Sequence, residues 1–473
     1  MKNTNRLLLF LLVIIMATGC KPIDDHIAKG QFAMAQKKIK RMIASDRLSP
    51  REKIEMENKA DLMHRIEIDF NKSLEDILPF IHQYYPDVTP AQIKKWESEK
   101  SLEKMTLNGK DRYFVRAAQN LFRIDSEAKK RKIETDGETK DKLDVFIEKN
   151  LPEVLTYLKS TSGTTGKPVR MKFTYTLTVD ADAVPRGETV RCWLPFPREG
   201  GARQSDVKLL SASCEDYVIA PNNYLQRTLY MQKPAVAGEP TVFEIAFSTT
   251  ARPQWFDLEN LDIKPYQKDS GLYRKYTEER YPHLTFTPSV KALSRTIVGD
   301  ETDPYRISRK LFHYISAHYP WASAREYSTI EHIPDYVIEN KHGDCGQVTL
   351  LFMVLARYNG IPARWQSGWM LHPGSVNLHD WCEVYFEGVG WVPVDQSFGR
   401  RELQDPDQAD FYLGGLDAYR LIVNDDYGMP LFPDKHYLRS ETVDFQRGEV
   451  EWRGGNLYFD TWDYHMEVEY LNQ

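Results

Sequence analysis

Cysteine is scarce in this chain, with five in 473 residues, and no two are spaced as CxxC or CxxH. A zinc site is therefore not expected. No Asp- and Gly-rich loop of the EF-hand kind is present either, so neither a metal nor a cofactor is expected. Long basic runs are also missing. With a formal charge of −6 the chain is a poor partner for nucleic acid. The apolar run Leu7 to Met16 is about ten residues, too short to cross a bilayer as a mature helix. What remains is a polar chain with enough apolar material, 41 % of residues, to bury real cores. Its length argues for two to four of them.

The N-terminus has the order of a secretory leader: Lys2 and Arg6, the apolar run, then Ala17-Thr18-Gly19-Cys20. The Cys after Gly19 resembles a bacterial lipobox, which implies a signal peptide over 1–19, lipid on Cys20 and a lipoprotein tethered to the cell envelope. Lys21 in the next position is compatible with the outer membrane; the side of the membrane stays open. An ordinary signal peptide followed by a chance cysteine is the alternative. Cleavage removes two basic residues and leaves 60 against 68 acidic, a mature charge of −8. Export permits disulfides. Cys192 and Cys214 lie in one β-rich stretch and are candidates for a pair that spacing alone does not establish.

Residues 20–160 are charged and helical in pattern. Ile27, Phe32, Ala35, Ile39 and Ile43 approximate one apolar face, and Leu48-Ser49-Pro50 starts a second helix through Met56, Ala60, Met63 and Ile66. A further helix is expected from Tyr113 to Phe122, and the small polar stretch 160–166 reads as a linker. From Lys167 the period changes to two, in Arg170–Val179, Thr189–Phe196 and Thr241–Thr249, which predicts an antiparallel β-sandwich over 168–252. The rest mixes helix and strand: an α+β core over 285–425 and a β-rich extension over 426–473.

Three features of that core carry chemistry. The first is Cys345, which follows Asp344, a good N-cap, and opens a helix with apolar residues nearly all round. First-turn N–H groups and the helix dipole stabilise a thiolate or an oxyanion there. A thiol reactive below a pH of about 8.5 is thus expected. The second is His379 on the strand through Phe386, and the third is Asp395 at the end of Trp391–Asp395. A hairpin centred on Glu387 sets Asp395 opposite His379, whereas a two-residue turn at Glu387-Gly388 puts it on the wrong face. With the first geometry Asp395 fixes the imidazole tautomer and stabilises imidazolium beside the thiolate. The bland reading is a buried core thiol, a hydrogen-bonded strand histidine and a turn aspartate.

His342-Gly343-Asp344-Cys345, then Gly360-Ile361-Pro362-Ala363-Arg364, then His379 with Trp381, then Gly390-Trp391-Val392-Pro393-Val394-Asp395 resembles the transglutaminase-like superfamily of the papain-like group over about 285–400. The resemblance implies a nucleophile at Cys345, a general base and acid at His379 and an orienting group at Asp395. It also implies an aromatic aid to the oxyanion, for which Trp321 is the candidate; a core tryptophan is the alternative. The sandwich looks like modules that precede such domains in bacteria. His342 stands where an Arg is often found, and Asp380 and Cys382 where apolar residues are common. The implied activity is thiol-dependent acyl transfer on amide bonds, as peptidase, amidase or transglutaminase, with a peptide or protein substrate such as a cell-wall peptide. A non-catalytic binding or assembly lipoprotein on the same scaffold is the rival. A sugar-binding lipoprotein rests on the leader and the tryptophans alone.

Overall fold

The computed structural model describes residues 23–45, 47–161 and 163–471, in two compact units divided after Gly137. The lipobox lies outside the described residues. Among those described, no helix is long and apolar enough to cross a membrane.

The first unit is helical for the expected reasons. Ser49 caps the helix Pro50–Asp69 in a reciprocal box with Glu52, Pro50 sits where its missing N–H costs nothing, and Met56, Met63 and Ile66 are buried. Thr89 and Pro90 open the helix Pro90–Ser98 in the same way. Tyr113 departs from expectation. It ends a hairpin of β1 (Lys104–Leu107) and β2 (Lys110–Tyr113), and the helix that follows is Ala117–Ile124. The turn is Asn108-Gly109, both at positive φ, the chemistry a two-residue hairpin needs.

The second unit starts earlier than the sequence suggests. The helix Lys142–Thr161 falls in the region expected to be the N-terminal helical domain, yet its Ile147, Leu151 and Leu155 are buried in the same core as Leu311, Phe352 and Trp381. Nor is 160–166 a free linker. Trp255 N–H donates to Thr164 and Gly166 N–H to Pro253, which ties the stretch down.

The sandwich strands are β3 (Val169–Val179), β4 (Thr189–Pro195), β5 (Gln204–Ala212), β6 (Tyr217–Ile219), β7 (Thr228–Pro234) and β8 (Thr241–Ala251). A short β9 (Gln254–Trp255) follows. The core sheet is β10 (Ala363–His372), β11 (Ser375–Phe386) and β12 (Gly390–Val394), then β14 (Arg420–Asn424) after β13 (Gly415–Leu416), which pairs with β9. Its order is β12-β11-β10-β14. Last come β15 (Glu449–Trp452), β16 (Gly455–Leu457) and β17 (Trp462–Leu471).

These last strands are not a separate extension. The two sandwich sheets run β16-β15-β4-β7-β6 and β17-β3-β8-β5, so the C-terminus completes both. Sandwich and core sheet also share one interior, where Phe173 stacks on Trp369 of β10 at 4.5 Å and Leu421 and Val423 of β14 are buried with them. Burying each such side chain contributes about 1.5–3 kcal/mol. Cys192 and Cys214 are both free thiols, which corrects the candidate disulfide. Cys192 faces the sandwich core from β4, while Cys214 follows β5 of the other sheet, its thiol 3.8 Å from the Gln232 carbonyl.

Candidate active site

Cys345 opens the helix Cys345–Tyr358, whose residues Gly346 to Arg357 are all buried. Asp344 caps it in a box with Gln347, accepting from the Gln347 N–H at 3.0 Å. The cap and the apolar helix together hold the cysteine beside Asp380 of β11, half-buried. Gly346 allows a close approach there. A Cβ at that position would lie 2.3 Å from the Tyr327 hydroxyl and 2.7 Å from Asp380 Oδ2.

The hairpin register differs from both sequence alternatives. Phe386 pairs with Gly390 and Cys382 with Val394, so the loop is Glu387-Gly388-Val389 and the next pair would be Trp381–Asp395. Asp395 therefore sits diagonal to His379 on the same face, within reach. His379 Nε2 lies 2.8 Å from Asp395 Oδ2, both buried. Burial works to raise the Asp395 carboxyl, but His379 and Arg420 outweigh it and hold it below the ordinary carboxylate range. A carboxylate only accepts, so Nε2 carries the proton and Nδ1 is left as the base.

Sequence reasoning missed what lies behind this pair. Arg420 Nε donates to Asp395 at 2.8 Å and its Nη1 to Asp417 at 2.5 Å; Asp417 in turn lies 3.1 Å from His372 Nε2. All are buried, and Arg420 sits between Asp395 and Asp417, each of which also meets an imidazole ring. Burial pushes the Asp417 carboxyl up, yet Arg420 and His372 bring it well below its usual value.

The thiol is the surprise. Cys345 donates to Asp380 Oδ2 at 3.3 Å, and among the described residues no hydrogen bond joins it to His379. Burial, then Asp380 and Asp344, push the thiol well above its ordinary value. In this resting geometry the partner of the thiol is Asp380 and not His379. Asp380 itself accepts from Gln446 Nε2 at 2.6 Å, and Gln446 also binds the His379 carbonyl at 2.7 Å. Asp380 was legible only as an unusual residue for its position. Gln446 comes from a segment remote in sequence, and nothing local announced it.

Cys345 stands between two cavities. One, of about 310 Å³, is shared with His379, Phe398 and Met370. The other, of about 190 Å³, contains Asp380 and carboxylates from the C-terminal segment. Trp321 borders both and is 46 % exposed, with its backbone bridged to Gly343. It is thus a cavity-wall residue and not a core tryptophan. Among the described residues no cluster of His, Cys, Asp and Glu has the form of a metal site.

Residues 291–396 match the family model of the transglutaminase-like superfamily, so the chain carries a transglutaminase-like domain in an α+β fold. An uncharacterized protein of Haemophilus influenzae is 27 % identical over 326 residues, 59 % of this chain and 85 % of that one. The uncharacterized protein YebA of Bacillus subtilis is 32 % identical over 83 residues, 15 % of this chain and 11 % of its own length. Among solved structures, one named "Putative Cysteine Protease from Cytophaga hutchinsonii" aligns with a TM-score of 0.45 at 14 % identity, covering 65 % of this chain and 93 % of that chain. The periplasmic domain of TgpA from Pseudomonas aeruginosa aligns with a TM-score of 0.25 at 12 % identity, covering 48 % of this chain and 88 % of that chain.

Proposed function

We propose that the chain is a thiol-dependent hydrolase or acyltransferase acting on amide bonds, with Cys345 as nucleophile. The observation that carries this reading is the buried His379–Asp395 pair, aligned at 2.8 Å, on a cavity that Cys345 also lines. In the reaction Sγ turns from Asp380 toward His379 and gives its proton to Nδ1. The sulfur then attacks the amide carbon to form a C–S bond. First-turn N–H groups, with Trp321 as the aromatic wall, hold the developing oxyanion. Collapse breaks the C–N bond and the amine leaves with the proton from His379. Water or a second amine, deprotonated by His379, attacks the thioester and frees Cys345. Asp395 keeps the imidazole in the competent tautomer throughout.

A second reading has its own observation. The thiol bound to Asp380 suits a scaffold that binds peptides without turning them over. Mass spectrometry of the chain incubated with a library of acylated peptides separates the two. A thioester on Cys345, lost in Cys345→Ala and released by hydroxylamine, supports the enzyme. Binding with no adduct and no product supports the scaffold.

We further propose an envelope lipoprotein anchored through Cys20, which rests on Ala17-Thr18-Gly19-Cys20 alone. Cys20→Ala should move the protein from membrane to soluble fractions, and unchanged retention would defeat the anchor.

A further inference from the structure

The smaller cavity beside Cys345 is lined by Glu326, Asp344, Asp380, Glu441 and Asp444, with Arg325 and Arg447 as its cations. Most of this charge is answered inside the protein. Arg447 holds Glu326 in a two-pronged pair at 2.9 and 2.7 Å and reaches Glu441 at 3.0 Å. Asp344 accepts from the Tyr327 hydroxyl at 2.6 Å, and Asp380 from Gln446 and the Cys345 thiol. Asp444 is different. It is only 7 % exposed, yet among the described residues its carboxylate takes part in no hydrogen bond and no ion pair. Arg447 acts on it through space, but burial, Glu441 and Asp380 outweigh that cation and favour a proton or another donor there. An open cavity at that point offers a donor from outside.

We infer that this cavity is a subsite for a protonated primary amine of the substrate, with Asp444 as its principal acceptor and Asp380 and Glu441 beside it. The inference rests on the reading of Cys345 as the nucleophile, because the substrate is defined by its approach to that sulfur. Three donors of an ammonium suit a group of carboxylates better than the flat fork of a guanidinium. The volume, about 190 Å³, equals that of about six waters in the liquid and takes an aminoalkyl chain. A divalent cation fits less well, since these carboxylates do not converge as a metal-ligand group. Burial and the neighbouring carboxylates raise the Asp444 carboxyl well above its usual value, and an ammonium relieves that crowding. An amine held charged in this way is not nucleophilic. It therefore serves as a handle for recognition, such as a lysine-like side chain or a free amino terminus, and is not the group that attacks the thioester.

The test is fluorescence anisotropy of monodansylcadaverine, which carries one primary ammonium, against its neutral analogue ending in a hydroxyl. Both are titrated with the full chain as the wild type, Asp444→Asn and Cys345→Ala. The amine should bind saturably and the hydroxyl analogue at least about tenfold more weakly, as loss of a charge-assisted bond requires. Asp444→Asn should weaken the amine by a similar factor, with an unchanged melting curve showing that it folds. Cys345→Ala should retain binding, because no bond to sulfur is formed. Equal affinity for both probes in the wild type overturns the subsite without recourse to any variant. So does displacement of the amine by calcium chloride beyond that caused by sodium chloride of equal ionic strength. Amine binding with no thioester under any condition would instead sink the catalytic reading and leave the subsite standing.

Discussion

The two sides of Cys345 handle buried charge in opposite ways. On the His379 side Arg420 is bound between Asp395 and Asp417, and an imidazole meets each of these carboxylates. On the Asp380 side carboxylates crowd together, and burial with like charges raises Asp380 and Asp444 well above the ordinary range. The paired side is suited to holding one geometry. The crowded side stores electrostatic stress that a proton or a cation relieves. The thiol rests against the crowded side, so its reactivity depends on leaving it.

The largest effect that would break this comparison lies at the nucleophile. Cys345→Ala should abolish thioester formation and lower turnover at least about a thousandfold, with little loss of fold. His379→Ala should do nearly the same while leaving the thiol in place. Mass spectrometry of the adduct reads both. If His379→Ala formed the thioester at the wild-type rate, the paired side would not be the chemical side.

Next comes Arg420, which touches no substrate in this scheme but compensates two buried aspartates. Arg420→Met should cost about 3–5 kcal/mol in urea unfolding, because Asp395 and Asp417 would be left buried without it. Adding Asp417→Asn should recover part of the loss. Linkage gives the pH course. Asp395 and Asp417 are depressed in the fold, so their stabilisation is present above the unfolded carboxylate value of about 3.9 and is lost as pH falls through the lower folded values.

Smaller again is the change expected at Asp380. Asp380→Asn keeps an acceptor for Gln446 but removes a negative charge beside the sulfur. The iodoacetamide rate of Cys345 near neutral pH should rise by about tenfold, the equivalent of one pKa unit. Cys382, buried on β11, is the internal control and should not respond. A slower Cys345 would mean that Asp380 is a base for the thiol and not a brake on it.

The same contrast explains what the sequence could disclose. The capped helix, the His379 and Asp395 positions and the sandwich period are local patterns of a few residues, and they were readable. The face of Asp395 was readable only up to a choice, because turn length sets register and Glu387-Gly388 supports more than one turn. Asn108-Gly109 is a hairpin signal that the helical periodicity around it obscures, so Tyr113 ends a strand where a helix is expected. Arg420, Asp417 and Gln446 were not readable. They reach the site because β14 joins the core sheet and the C-terminal strands complete the sandwich, and such long-range pairing leaves no local signature. The helix Lys142–Thr161 shows the same limit. Nothing local tells which core buries its Ile147, Leu151 and Leu155.

His342 gives a third case, neither paired nor crowded, and the smallest effect. It is buried two residues before the cap, and neither ring nitrogen has a hydrogen-bond partner among the described residues. Burial lowers its pKa to about 4. The unfolded chain, with a value of about 6.5, binds the proton more readily, so stability is full above that value and falls as pH drops toward 4. The crowded carboxyls act with the opposite sign: their raised folded values mean stability is lost as pH rises through them. In the wild type the two slopes oppose, and variants separate them. His342→Leu removes two unsatisfied nitrogens and should raise stability at pH 7 by about 1 kcal/mol. It should also remove the loss of about 1 kcal/mol that this histidine causes between pH 7 and 5.5, seen as a shallower fall of Tm than in the wild type. Asp444→Asn should tilt the curve the other way, toward a steeper fall in acid. Parallel curves for wild type and His342→Leu would show that His342 keeps its ordinary affinity for the proton in the fold, and hence that burial at this position is not what separates it from the paired side.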